Sequence, residues 1–101
     1  MYTYTEEQFL EWEKKYGKGK VFELKIDDKR AILKKPDRKA LSFASTGASG
    51  GKDPMKFNEI ILNQCWIAGD EEIREDDDYF LAACPVLEGL MEVKQAELKK
   101  L

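Results

Sequence analysis

A chain of 101 residues with 43% hydrophobic and 37% charged side chains has the size and composition of one small, polar folded domain. It contains no histidine, which excludes Ser-His-Asp and Cys-His nucleophiles and removes the commonest general base and zinc ligand. The net charge of −3 is uneven, with 13 Lys/Arg against 9 Asp/Glu in residues 1–56 and 4 against 11 in residues 57–101, and this polarity favours oriented association with a partner or with itself.

The first 17 residues have the pattern of a short helix. Thr5 and Gln8 stand at the spacing of a capping box, in which each side chain satisfies a free backbone N–H of the first turn. Aromatic residues then recur at helical spacing until Gly17, which is a natural stop. We therefore predict an N-terminal helix over 1–17.

Residues 20–35 have the pattern of a β-hairpin. In the segment 21–26, apolar Phe22, Leu24 and Ile26 alternate with polar Glu23 and Lys25. This alternation is typical of a half-buried strand. Asp27 and Asp28 supply a polar turn, and the basic segment that follows can return as the partner strand. Because an isolated hairpin is marginally stable in water, we expect it to pack on helices or to join a further strand.

Residues 36–101 predict a compact body of three to four helices. Pro36 has the fixed φ that suits the first turn of one helix. Asp53, followed by proline, starts a second and strongly apolar helix that we expect to continue to Ala68-Gly69. The Gly/Ser-rich stretch 45–52 between them reads as a flexible loop.

The C-terminal part predicts two further helical segments. Asp78 can cap a helix that Pro85 then kinks or interrupts. From Val86 to Leu101, apolar residues recur at helical spacing with charged residues between them, which indicates an amphipathic tail helix. The whole chain is thus expected to be one α+β domain, mostly helical, with an N-terminal helix, one hairpin and a helical bundle.

The acidic stretch 70–78, DEEIREDDD, is the most site-like feature of the sequence. An EF-hand register from Asp70 fails because Arg74 and Glu75 occupy the fifth and sixth positions, where an oxygen ligand and a glycine are needed. Catalytic carboxylates must face each other across a cleft, and seven acids in one connector do not arrange that. We expect no metal or catalytic site here, only solvation of the link and a helix cap.

Two other motifs are weighed against simpler explanations. Gly51-Lys52 is reminiscent of a phosphate-binding loop, but Thr46 and Asp53 replace the required glycine and hydroxyl residue, so a linker is the better interpretation. A basic cluster could contact phosphates, but no aromatic residues for base stacking are interleaved with it, and nucleic acid is disfavoured as a partner. The cluster consists of Lys34, Lys35, Arg38 and Lys39.

The cellular setting is predicted from what the sequence lacks. No apolar run approaches the roughly 20 residues that cross a bilayer, and the first residues show neither the basic nor the apolar part of a signal peptide. We therefore expect a cytoplasmic protein. Cys65 and Cys84 lie within apolar helical patterns, which favours buried reduced thiols over a disulfide.

The order of these features resembles the tail assembly chaperones of long-tailed bacteriophages. The resemblance is carried by the hairpin segment Lys20–Lys29, the Lys-Pro junction within Ala31–Leu41, the stretch ILNQCWIAGDEEI at Ile61–Ile73 and the ending AELKKL at Ala96–Leu101. It covers residues 20–101. The N-terminal helix lies outside it, and the Gly/Ser-rich loop departs from it.

The resemblance implies a non-enzymatic protein, without cofactor or metal, that binds the long, helix-rich tape measure protein or another tail component during tail morphogenesis in the host cytoplasm. On that hypothesis the partner is bound by four apolar residues of the C-terminal part, although for any single one of them a position in the core is the favoured interpretation: Leu87, Leu90, Met91 and Leu98. The alternative is a small acidic phage or bacterial inhibitor or adaptor that binds a host protein or mimics nucleic acid. A small enzyme is disfavoured by the missing histidines and by the lack of any catalytic motif.

Overall fold

The computed structural model describes residues 1–91 and 94–101, and it confirms the α+β, mostly helical fold class. The described part contains five helices and three strands. In chain order they are α1 Glu6–Tyr16, β1 Val21–Ile26, β2 Lys29–Lys34, α2 Arg38–Gly47, α3 Pro54–Cys65, β3 Trp66–Gly69, α4 Glu72–Glu75 and α5 Asp77–Leu90.

The sheet is antiparallel with strand order β1-β2-β3. The predicted hairpin is present, and its tight turn places Asp27 at a φ of 51°. Phe22 lies opposite Leu33, and Leu24 lies opposite Ala31. Because directly opposed residues project from the same side of a sheet, these four side chains share one surface, which we call the core face.

Strand β3 was not predicted. We expected the second long helix to run to Ala68-Gly69, but it ends at Cys65 and the next four residues pair with β2. A short apolar segment of this kind fits either a helix or a buried strand, and periodicity does not distinguish them. Pairing with the free edge of β2 decides the outcome, since it satisfies backbone groups of both strands.

The hydrophobic core lies between the core face of the sheet and helices α2, α3, α4 and α5. Its largest fully buried members include Leu33, Ile61, Leu62, Ile73 and Leu87. They come from four different elements, β2, α3, α4 and α5, so burial of these side chains is what joins the hairpin to the helical body.

Helix α5 differs from the prediction at both ends and in the middle. Asp76, rather than Asp78, caps it, because its Oδ1 accepts the N–H groups of Asp78 and Tyr79. Pro85 lies inside the helix without ending it. A proline there costs on the order of 3 kcal/mol, and burial of Ala83 and Leu87 on either side of it offsets that cost.

The predicted tail helix from Val86 to Leu101 is present only over Val86–Leu90, as the last part of α5, and is wrong for residues 94–101; residues 92–93 lie outside the described part of the chain. Helix α5 ends at Leu90, and residues 94–101 have no regular secondary structure. Leu98 and Leu101 are fully exposed. An amphipathic segment of this length needs a surface for its apolar face, because short isolated helices are marginal in water; here the leucines contact none.

Helix α2 also starts and ends later than expected. Asp37 caps it by accepting the Ala40 N–H at 2.8 Å, so Pro36 precedes the helix instead of standing in its first turn. The helix continues to Gly47, and Ala48 after it is fully buried. The predicted flexible loop at 45–52 is therefore helical over its first three residues and anchored at the fourth.

Helix α1 is built as predicted, and it lies against the opposite side of the sheet from the core. The Thr5–Gln8 capping box is present, and Gly17 ends the helix with a φ of 111°. The segment before it is held by Tyr4, whose hydroxyl group donates to Glu23 at 3.0 Å and whose ring lies 5.3 Å from that of Trp12. None of the α1 residues is fully buried.

Candidate functional site

An apolar groove lies between helix α5 and the core face of the hairpin. Its volume is about 270 Å³. Helix α5 contributes its buried residues Leu87 and Leu90 to this groove, and the hairpin contributes residues of the core face. The lining residues are Phe22, Glu23, Leu24, Leu33, Val86, Leu87, Gly89 and Leu90.

The groove has a buried floor and exposed walls. Leu87 is 0% and Leu90 is 5% exposed, so they form the floor together with core residues of the hairpin. Phe22 on one wall is 37% exposed, and Val86 on the other is 54% exposed. Covering these walls with apolar side chains of a partner would remove them from water, which is the driving force for docking here.

Gly89 leaves one wall of the groove open. A Cβ atom added at this position would meet no atom within 4 Å, and its backbone is helical. Helices disfavour glycine by about 1 kcal/mol relative to alanine. The glycine is thus not required by turn geometry or by close packing within the described residues, and its lack of a side chain keeps the groove wide.

The structure divides the four predicted partner-binding residues between different environments. Leu87 and Leu90 line the groove, but as core residues whose surface is covered. Met91 is half-buried and packs against the core cluster. Leu98 is fully exposed on the segment 94–101. The prediction of these residues as a contact surface stays a prediction.

The exposed groove walls were missed by the sequence interpretation. Phe22 was recognised only as part of the apolar side of a strand, and Val86 only as the start of a tail helix. A signal was present for Phe22, since a large aromatic residue near the open end of an edge strand has fewer neighbours to cover it. Val86 gave no such signal, because its exposure depends on how α5 packs.

A second cavity, which we call the basic cleft, adjoins the end of the hairpin. Its volume is about 560 Å³. The ammonium groups of Lys15 and Lys34 lie 5.2 Å and 5.5 Å from the centroid of the Tyr16 ring, at distances typical of cation–π contacts. The lining residues are Lys15, Tyr16, Lys20, Lys34, Lys35, Pro36, Asp37 and Lys94.

The electrostatics of the basic cleft are dominated by lysine. Among the described residues, Asp37 is the single carboxylate that lines the cleft. The Ala40 N–H that it accepts as the α2 cap, with a further contribution from Lys34, lowers the pKa of that carboxyl group. The cleft contains only half of the basic cluster noted in the sequence. Arg38 and Lys39 line a separate shallow surface beside Phe43 on α2.

The acidic stretch 70–78 is a structural element, and its description as a solvated link was wrong for several of its members. Asp70 Oδ2 accepts two backbone N–H groups, from Tyr2 at 2.9 Å and from Arg30 at 2.8 Å. These hydrogen bonds, the one from Tyr2 first, lower the pKa of Asp70. Glu72 pairs with Lys29 at 2.6 Å.

The remaining groups to consider are possible metal ligands and the two thiols. Within residues 1–91 and 94–101, no three His, Cys, Asp or Glu side chains lie close enough together to hold a metal ion. Cys65 is fully buried, and burial raises the pKa of its thiol to about 11, which keeps it protonated near neutral pH. Cys84 is half-buried, and both thiols are free.

Three comparisons, with protein-family models, with curated proteins and with solved structures, find no match to this chain. Within the described residues, no helix combines the length and apolar character needed to cross a bilayer. The surface features that bear on function are therefore the groove and the basic cleft.

Proposed function

We propose that this protein is a non-enzymatic binding protein whose apolar groove receives an apolar helical segment of a larger protein. The role that fits best is that of a phage tail assembly chaperone, which binds the tape measure protein before the tail tube polymerises around it. The observation that carries the proposal is the groove beside α5, with Phe22 and Val86 exposed on opposite walls and an open wall at Gly89.

A helix is the kind of ligand that such a groove favours. An amphipathic helix presents apolar side chains at i, i+3, i+4 and i+7, and these can enter a groove whose floor is already apolar. The walls come from a helix and a strand that are both anchored in the core through Leu24 and Leu87. A preformed, rigid groove avoids the entropic cost of ordering its walls when the ligand binds.

The small volume of the groove, about 270 Å³, admits only a few side chains of a ligand and therefore favours a reversible complex. A chaperone that must leave when the tail tube forms around its partner needs such a contact. The same geometry would suit an adaptor.

The test is co-expression with the very long, helix-rich protein encoded nearest to this one, followed by affinity purification. We expect the two to copurify and expect Gly89→Phe to abolish copurification, because the added ring fills the groove without meeting the core. Gln64→Phe is the matched control, since it adds the same ring at an exposed position of α3 that does not line the groove.

A different result would favour the inhibitor or adaptor alternative. One observation supports that second candidate: the acidic turn residues Asp27 and Asp28 lie near Glu72 and Tyr79, so the hairpin turn and the acidic stretch form one acidic corner. Copurification of a host nuclease or DNA-binding protein, unaffected by Gly89→Phe, would support it. So would a gene neighbourhood that lacks a tail tube gene and a tape measure gene.

A further inference from the structure

We infer that the basic cleft and the apolar groove form one continuous binding surface, and that the helix it receives carries acidic residues at one end of its apolar stripe. This inference rests on the proposed function and specifies the chemistry of the partner. The basic cleft supplies charge, the groove supplies apolar contact, and the order in which they occur along the surface fixes the direction of the ligand.

The register of the hairpin places the two parts in line. Phe22 and Leu33 are a directly opposed pair on the core face. The next pair on that face is Lys20 and Lys35, joined by a hydrogen bond of 2.9 Å from the Lys35 N–H to the Lys20 carbonyl oxygen. Two residues along a strand span about 7 Å, so the lysine pair begins where the apolar pair ends, at the end of the hairpin where Lys15 and Tyr16 of α1 also line the cleft.

The wall of the groove that α5 forms also ends near the basic cleft. Leu90, its last residue, lines the groove, and Lys94 lines the basic cleft. Leu90 and Lys94 are four residues apart in the chain, so the groove and the basic cleft lie close together at this end. A helix lying along the groove would bring the residues one to two turns beyond its apolar contacts over the lysines.

Within residues 1–91 and 94–101, ion pairs do not neutralise the lysines of the basic cleft. The ion pairs among the described residues involve Lys29, Arg30, Lys56 and Arg74, and none of them involves Lys15, Lys20, Lys34 or Lys35. The Asp37 carboxylate is engaged by the N-terminus of α2. An acidic partner would supply the missing counter-charge, and a basic one would be repelled.

Charge also argues against the chain's own C-terminal segment as the occupant. Residues 94–101 contain Lys94, Lys99 and Lys100 against Glu97. Leu98 could enter the groove, but its flanking lysines would then approach the cleft of the same sign. A nucleic acid is disfavoured as well, because the Tyr16 ring that could stack on a base already has two ammonium groups against it.

The experiment uses the full-length protein and three synthetic 21-residue helical peptides that share one leucine stripe. The peptides differ only in three residues at the C-terminal end, which are glutamate, glutamine or lysine. Isothermal titration calorimetry gives each Kd at low and at moderate salt. We expect the glutamate peptide to bind about tenfold more tightly than the glutamine peptide, because two or three exposed ion pairs together contribute a free energy of that size. We expect the lysine peptide to bind most weakly.

Two double variants locate the effect. The variant Lys20→Gln/Lys35→Gln should bring the glutamate peptide to the affinity of the glutamine peptide and leave the latter within about twofold. The matched control is Lys18→Gln/Lys25→Gln, which removes the same charge from exposed positions that line neither cavity. It should preserve the preference for glutamate.

The outcomes separate this inference from the proposed function. Equal binding of all three peptides, abolished by Gly89→Phe, would overturn the acidic partner and leave the groove function in place. Absence of binding by any peptide would overturn both. If Leu98→Ser/Leu101→Ser raised the affinity for all three peptides equally, the chain's own tail would be the occupant, and the inference would be wrong.

Discussion

Asp70 and Arg30 are joined twice. The Asp70 carboxylate accepts the Arg30 N–H at 2.8 Å, and the Asp70 N–H donates to the Arg30 carbonyl oxygen at 2.9 Å. The same carboxylate oxygen accepts the N–H of Tyr2. One side chain thus connects the N-terminal segment, the start of β2 and the end of β3, and it gives the first residue of the acidic stretch a structural role.

Replacing Asp70 should therefore destabilise the fold more than replacing its acidic neighbours. We expect Asp70→Asn to lower Tm by about 5 °C or more, because a neutral amide accepts the two N–H groups less strongly than a carboxylate does. Thermal unfolding followed by circular dichroism measures the change. Asp77→Asn is the control, since Asp77 is exposed and makes none of the hydrogen bonds of this junction; an equal loss in both variants would contradict the assignment.

The contribution of Asp70 should depend on pH. Its pKa is lowered from the ordinary value of 3.8, so it stabilises the folded state above that value and the stabilisation is lost as pH falls through the lower pKa of the folded state. The difference in Tm between the wild-type protein and Asp70→Asn should be full at pH 6 and should shrink below about pH 4. A constant difference from pH 6 to pH 2 would contradict the charged carboxylate as its source.

Two glycine substitutions should have opposite effects. At Gly69 an added Cβ would lie 2.6 Å from both the Ala31 Cα and the Arg30 carbonyl oxygen, and the φ of 150° is unfavourable for other residues. We expect Gly69→Ala to cost about 3 kcal/mol by disrupting the β2–β3 pairing, and Gly89→Ala to stabilise by about 0.5–1 kcal/mol. Urea unfolding measures both, and a neutral Gly69→Ala would contradict the observed approach of the strands.

The two thiols should react at different rates in the folded protein. Cys65 is fully buried with its pKa raised to about 11, whereas Cys84 is half-buried. An aromatic disulfide reagent at pH 8 should modify one thiol first, identified as Cys84 by peptide mass spectrometry, and the second only as the protein unfolds. Both should react together in denaturant. Equal native rates would contradict the burial of Cys65.

The elements that the sequence predicted are those whose signals are local. The capping box of α1, the alternation of β1 and the cap at Asp53 depend on residues within one turn or one strand, and all are present. Strand β3 was missed because its pairing partner is more than 30 residues away in the chain. Its four residues carry no pattern that separates strand from helix.

The candidate site was predictable only in part for the same reason. Leu87 and Leu90 were recognised as an apolar stripe, but a sequence does not show which members of a stripe become floor and which become wall. The exposure of Phe22 and Val86 and the alignment of Lys20 with Lys35 depend on the register of the hairpin and on the packing of α5. Both the register and the helix packing are set by the tertiary structure, so the local sequence does not reveal them.

The groove can be tested most directly by a residue-by-residue map of where a helical ligand binds. Titration of the ¹⁵N-labelled protein with the glutamate-ended leucine peptide, followed by ¹H–¹⁵N correlation spectra, should shift the amide signals of Phe22, Leu24 and 86–90, with smaller shifts at Lys20 and Lys35. Shifts confined to α2 around the exposed Phe43, or to the acidic stretch, would contradict the groove as the binding site.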